Sequence, residues 1–301
     1  MQSSSLRGNN GPRYRHLAEA AAPYRTLTVD KLTPIIGAEL GGVDLSRPLP
    51  DGQFEEIERA LAENLVIFFR DQHLSKAQHL AFGRRFGDLH VHPAAPHEPG
   101  MPEMMIIHAD RDSPRANGEG WHSDVSCDLL PPMGSMLYIR TCPPHGGDTL
   151  FASMYAAYDA LSDGLKRTLE GLRAVHSSRH VFGAQAKRGD EMKDRLGNAE
   201  AATQDAVHPM VITHPISGKK ALYVNRGFTT HIDGWTVEES KPLLEYLYQH
   251  GARPEFSCRF SWAPGSMAFW DNRATWHLAV NDYHGHRRLM HRITLEGEAI
   301  R

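Results

Sequence analysis

The chain predicts a mainly β fold with helices packed outside it, and three observations carry that expectation. Short apolar or alternating runs of strand length recur, above all between residues 210 and 297. Turn-forming stretches such as "SGKK" and "APGS" separate them. The helical patterns are fewer, and two open on recognisable start signals. The chain has 301 residues. Strand-rich single domains run to about 250 residues, so one domain is expected rather than two.

Taken in order, residues 1–25 are polar and rich in Gly, Ser and Asn, and are expected to form a flexible N-terminal segment ahead of one domain over 26–301. "TLTVDKL" (Thr26 to Leu32) alternates and predicts a strand. A helix follows from Asp51, with Phe54, Ile57 and Leu61 on one face and Asp51 placed to cap it. "VIFF" (Val66 to Phe69) predicts a buried strand, and Ser75 to Gln78 spells a capping box. "SMLYIR" (Ser135 to Arg140) reads as extended, while "MYAAYDAL" (Met154 to Leu161) and "LKRTLEGL" (Leu165 to Leu172) read as helices. The charged stretch Gly183 to Ala206 has the composition of an inserted lid. Strands then return at Met210 to His214, Ala221 to Asn225, Phe256 to Trp262, Ser266 to Asp271 and Arg288 to Gly297, with one helix at Thr236 to His250.

Composition narrows the function. Hydrophobic residues make up 41% and the formal net charge is -3. Such a balance gives no field for gripping a nucleic-acid backbone, so no nucleic-acid partner is expected. No run of about 18 apolar residues marks a membrane span, and the first residues lack the apolar core of a secretory signal. Cys127, Cys142 and Cys258 are far apart and odd in number, which suggests neither a zinc pair nor a disulfide framework. A cytoplasmic location and a homo-oligomeric state are the expectations.

The chemistry concentrates in "WHSDVS" (Trp121 to Ser126) and "DNRATWH" (Asp271 to His277). On a strand, His122 and Asp124 would share a face. With His277 they make two imidazoles and a carboxylate. That set fills one face of an octahedral iron(II) and leaves the other positions open; zinc takes similar ligands as a tetrahedral site with one water. Taken singly, each is an ordinary residue in a chain with 19 histidines. Further on, Arg288, Met290 and Arg292 share one face of a strand. A buried guanidinium calls for an anion, and its fork matches carboxylates, sulfonates or phosphates. His90, His97, His108, His208 and His214 are expected to be structural or exposed, Asp271 and Asn272 to shape the turn before His277, and Trp121 and Trp276 to pack in the core.

With those residues in view, the chain resembles the taurine dioxygenase family, also named for the 2,4-dichlorophenoxyacetate dioxygenases. The likeness runs in order through "IGAELGGVDLSRPL", "FGDLHVHP", "WHSDVS", "GGDT", "THPISGKKALYVNRGFTT", "WDNRATWH" and "RRLMHRITLEG". It implies a double-stranded β-helix, or jelly roll, with helical elaborations. It implies iron(II) held by His122, Asp124 and His277, with Thr149 and Arg288 clamping the far carboxylate of the cosubstrate 2-oxoglutarate, and dioxygen consumed. His92, Arg292, Val125, Phe182 and Phe228 would contact a small anionic substrate. The implied reaction hydroxylates a carbon beside a heteroatom while 2-oxoglutarate becomes succinate and carbon dioxide. Two departures bear on the substrate: Ala95 and Gly118 stand where the taurine enzyme presents Tyr and Asn, leaving a roomier, less polar pocket. "VHSSRHVFG" and "ESKPLLEYLYQHGARPEFSCRFSW" resemble the phenoxypropionate enzymes instead. An alkyl sulfonate is the first expectation, with alkyl sulfates and aryloxyalkanoates as alternatives in the family. A zinc hydrolase or a binding jelly roll is the alternative outside it; neither needs Thr149 and Arg288 as a dicarboxylate clamp.

Overall fold

The structure, a computed structural model, describes residues 23–93, 95–113, 118, 120–182 and 203–300. The chain begins with strands β1 (Thr28–Lys31) and β2 (Ala38–Gly41), helix α1 (Asp51–Asn64), strand β3 (Val66–Phe69) and helix α2 (Lys76–Arg84). Strands β4 (His97–Glu98), β5 (Met101–Ala109), β6 (Gly134–Thr141) and β7 (Thr149–Ser153) follow. Next come helices α3 (Met154–Asp159) and α4 (Asp163–Glu170), strand β8 (Arg173–Ser177) and the helical turn α5 (Arg179–Phe182). Strands β9 (Asp205–Pro209), β10 (Val211–Thr213), β11 (Lys220–Leu222) and β12 (Thr229–Ile232) lead to helix α6 (Val237–Gly251). Strands β13 (Ser257–Phe260), β14 (Met267–Asp271), β15 (Thr275–Ala279) and β16 (Arg288–Leu295) complete it.

Eight strands form the main sheet, in the order β1-β2-β3-β14-β6-β16-β5-β4. Smaller sheets order as β13-β7-β15, β12-β8-β9 and β10-β11. The fold is mainly β with helices outside, and β2 and β3 lie in the same sheet as β14 and β16, so both ends of the chain build one layer.

Alternation along the strands explains why "VIFF" carries no polar residue. Val66 and Phe68 join one core, Ile67 and Phe69 the other. The same parity holds in β14, where Ala268 and Trp270 face one side and Met267 and Phe269 the opposite side. A strand covered on both faces has no position for water. The second core lies against α1 and α2 through Ile57, Leu61, Leu80 and Phe82. The first fills the space between the main sheet and β13-β7-β15, with Phe151, Phe260 and Trp276, and reaches α6 through Leu244 and Leu247. Met290 belongs to that inter-sheet core, and Ile293 and Leu295 to the helical side. Arg288 and Arg292, in register with Met290, therefore rise between the sheets.

Most sequence-predicted elements are present. The capping box predicted at Ser75 forms, and Thr236 makes a second one with Glu239 that the sequence reading did not name. Asp51 does not cap α1: Pro50 holds the cap position with no side-chain bond, and Asp51 instead meets Arg85 at 2.9 Å. Of the N-terminal segment, Tyr24 and Arg25 are tied to α1, the Tyr24 hydroxyl donating to Glu63 and the Arg25 amide to Glu56; residues 1–22 lie outside the described residues. So does most of the expected lid: only its end is described, and Asp205 and Ala206 already belong to β9. No helix among the described residues is long and apolar enough to cross a membrane.

Candidate metal centre

His122 and His277 are brought face to face by backbone, not by side chains. They form an isolated antiparallel bridge in which each amide donates to the other's carbonyl, at 3.1 and 2.8 Å. Their rings stand 4.1 Å apart between centroids. His277 lies on β15, opposite Phe151 of β7, and its ring packs on Trp270 and Phe151 between the sheets. His122 and Asp124 are not two positions of one regular strand, as the spacing suggested. After the bridge the chain turns at once, and Val125 takes a φ of 47°. The left-handed region is unusual for a β-branched residue. Val125 turns the chain away from the bridge directly after Asp124. Asp128 closes the turn onto the Val125 carbonyl at 3.0 Å.

One donor atom from each of His122, Asp124 and His277 lies within 4.8 Å of the others, a spacing that one cation spans. Asp124 Oδ1 is 3.8 Å from Nε2 of both histidines. The His122 Nδ1–H donates to the Gly120 carbonyl at 2.9 Å, so Nε2 carries the free lone pair. There is no room behind His122: a Cβ on Gly227 would stand 2.7 Å from its Cβ. The donor chemistry, two imidazoles and a carboxylate, suits a first-row divalent ion, and the residues fit one.

The charge state suits it too. Burial opposes ionisation of Asp124, but the Arg292 guanidinium, His277 and His122 outweigh it and hold the carboxyl well below the usual carboxylate range. Burial, helped by His122 and opposed by Asp124, brings His277 down to about 3, so it is neutral and ready to ligate. Arg292 donates from Nη1 to Asp124 Oδ1 at 2.7 Å, while its Nε has no hydrogen-bond partner among the described residues. His92 lies in the same electrostatic neighbourhood. Burial above all, with Arg292 next, lowers it to about 4, and its Nδ1 accepts from the Ala95 amide at 3.0 Å.

Arg288 is buried at 4% exposure, and its Nε and Nη2 find no partner among the described residues. A guanidinium in that condition is a place for an anion. Thr149 shares a face of β7 with Phe151. Its Oγ1 accepts from Trp262 Nε1 at 3.0 Å, which leaves the hydroxyl proton to give away. Trp262 also borders Arg288, 5.9 Å from its ring centre. Gly147 passes so close that a Cβ there would meet Arg288 Cδ at 3.2 Å.

The other expected contacts divide. Val125 and Phe228 do meet, in a small apolar cluster with Cys127 and Val181. Phe182 ends α5, and its side chain is outside the described residues. His214 and Asp271 are structural, joined at 3.0 Å; His208 donates to the Asp128 carbonyl. Sequence reading missed Ser135. Its hydroxyl donates to Asp124 Oδ2 at 2.7 Å, from a strand that looked like plain core. Only its small polar side chain in an apolar run hinted at a partner.

Two features define the class: a β core that brings together three side chains able to hold a cation, and a buried guanidinium with two nitrogens lacking partners among the described residues. Comparison with known proteins agrees. Residues 28–294 match the family described as "Taurine catabolism dioxygenase TauD, TfdA family". The chain is 37% identical over 279 residues to an "Alkylsulfatase" of Acinetobacter baylyi, covering 92% of this chain and 87% of that protein. It is 36% identical over 285 residues to an "Alpha-ketoglutarate-dependent sulfate ester dioxygenase" of Pseudomonas putida, covering 93% of each. A solved "Taurine Dioxygenase from Burkholderia xenovorans" superposes with a TM-score of 0.78 at 38% identity, over 92% of this chain and 91% of that one. The chain belongs to this family and is a dioxygenase.

Proposed function

We propose that the chain hydroxylates a small organosulfur anion, an alkyl sulfonate or alkyl sulfate ester, at the carbon beside the heteroatom, using iron(II), 2-oxoglutarate and dioxygen on a double-stranded β-helix. The observation that carries this reading is the buried Arg288, whose Nε and Nη2 have no hydrogen-bond partner among the described residues, together with three convergent donors. A zinc hydrolase has no use for it. The two layers between which the centre lies, the main sheet and β13-β7-β15, support the β-helix reading.

His122, Asp124 and His277 would hold the iron. When bound, iron and cosubstrate supply the oxidising chemistry, with 2-oxoglutarate ending as succinate and carbon dioxide. Arg288 and the Thr149 hydroxyl would fix the far carboxylate, so that the keto-acid end is presented to the metal in one orientation. Arg292 would turn its Nε, and His92 its ring, toward the anionic head of the substrate. Val125 and Phe228 would contact its carbon body and keep water away. Hydroxylation beside oxygen or sulfur gives a product that falls apart to a carbonyl compound and the sulfur oxyanion. The sulfate-ester and taurine names of similar proteins support a sulfur anion; Ala95 and Gly118, both small, support a body less polar than taurine.

The test is a panel of alkyl sulfonates, alkyl sulfates and aryloxyalkanoates scored by substrate-triggered succinate formation. Sulfonates or sulfates are expected to trigger it, and Arg292→Ala to raise their KM. Stimulation by aryloxyalkanoates alone would replace the substrate reading, and turnover with zinc in the absence of oxygen would end it.

A further inference from the structure

Behind Asp124 runs a line of hydrogen bonds in which every proton has one direction. Trp270 Nε1 can only donate, and it does so to Asn272 Oδ1 at 2.8 Å. That contact fixes which end of the amide is oxygen, so Asn272 Nδ2 points the other way and donates to Ser135 Oγ at 3.1 Å. The serine oxygen is thereby engaged as an acceptor, and its one proton goes to Asp124 Oδ2 at 2.7 Å. All four residues are buried. A second tie keeps the ends together, because the Ser123 hydroxyl donates to the Asn272 carbonyl. Trp270 also packs against the His277 ring, 4.7 Å between centroids, so one side chain supports two of the three donors.

We propose that Ser135 and Asn272, set by Trp270, are positioning residues that hold the Asp124 carboxylate to single-oxygen ligation of the cation. Oδ2 accepts the serine proton, and Oδ1, which also accepts from Arg292 Nη1, is the oxygen that lies toward His122 and His277. Without that proton the carboxylate is free to rotate and offer both oxygens, which takes one of the positions that the cosubstrate and oxygen need. Partners behind a ligand typically alter metal affinity by about 10–100-fold. The inference rests on the metal reading above, and the experiment separates the two.

Metal-free protein is titrated with Mn(II), and free ion is followed by electron paramagnetic resonance. Ser135→Ala is expected to raise the Kd about tenfold, and Ser135→Thr, which keeps the hydroxyl, to restore it to within about twofold. Thermal midpoints of the metal-free variants are measured alongside. An unchanged Kd in Ser135→Ala overturns the proposal, as does equal loss in the Ala and Thr variants, which would make the effect one of packing. If Ser135→Ala does not fold, Trp270→Phe carries the test: it keeps an aromatic ring and removes the N–H that sets the amide, and an unchanged Kd there overturns the line of bonds. Failure of the unaltered protein to bind Mn(II) overturns the metal reading itself.

Discussion

Two buried clusters in this protein contain the same three residue types. Asp124 lies with Arg292, His122 and His277; Asp271 lies with Arg273 and His214. In both, burial opposes the carboxylate and a neighbouring guanidinium overcomes it, so both carboxyls sit well below their ordinary range. The difference is saturation. Asp271 accepts from the Arg273 amide, Nε and Nη2 and from His214, and His214 Nδ1 in turn accepts from the amides of Ile216 and Ser217. Around Asp124 one donor atom from each of the carboxylate and two imidazoles converge within 4.8 Å, and Arg292 Nε and Arg288 Nε and Nη2 lack hydrogen-bond partners among the described residues. A closed network stabilises a turn; an open one waits for ligands. An orphan by itself is not enough, however. Both ring nitrogens of His79 also lack partners among the described residues, but no other donor converges on them.

The sharpest contrast comes from matched substitutions. Asp124→Asn is expected to reduce 2-oxoglutarate turnover to background, whereas Asp271→Asn keeps the centre and lowers the unfolding free energy by about 3–5 kcal/mol, since it strands a buried guanidinium. Succinate assay and urea denaturation on both variants check this; the reverse pattern would break the comparison. Arg288→Ala would remove the charge-assisted bonds proposed for the far carboxylate of 2-oxoglutarate and is expected to raise its KM about 100-fold, seen in initial rates.

His79 supplies the pH test. Burial first, with Arg140 and His291 adding, brings it down to about 3 from 6.5. Its folded pKa is depressed, so the neutral form belongs to the fold. Its contribution is whole above the unfolded value of 6.5 and is lost as pH falls from there toward about 3. His79→Leu should flatten that acid decline by about one proton, about 1.4 kcal/mol per pH unit, in urea midpoints taken across the window. A slope that does not change would contradict the assignment. Thr149→Val removes one neutral donor, for about a fivefold to tenfold rise in the same KM. Smallest is Asp51→Ala: its ion pair is exposed and it caps nothing, so less than about 0.5 kcal/mol is expected from denaturation.

Much of this was legible in residue order. Period-two and continuous apolar runs marked β3, β14 and β16, because burial on one or both faces dictates side-chain polarity strand by strand. The parity of Arg288 and Arg292 followed from the same rule. What was illegible is non-local. The bridge that sets His122 opposite His277 joins residues distant in the chain, and no local pattern announces such a pairing. The turn at Val125 was hidden too, because a β-branched residue is a poor signal for left-handed backbone. Strand β15, which carries His277, was not predicted as a strand, nor was β7, whose Thr149 was read only within "GGDT". Asp51 misled because an acidic residue suits both the cap and the first turn of a helix.

The central claim is that His122, Asp124 and His277 share one ferrous ion with 2-oxoglutarate beside it. Anaerobic titration of the metal-free protein with iron(II) in the presence of 2-oxoglutarate tests it most directly. A weak visible charge-transfer band that saturates at one iron per chain, and is absent from Asp124→Ala, is the expected result. No band in the unaltered protein, or the same band in the variant, would contradict it.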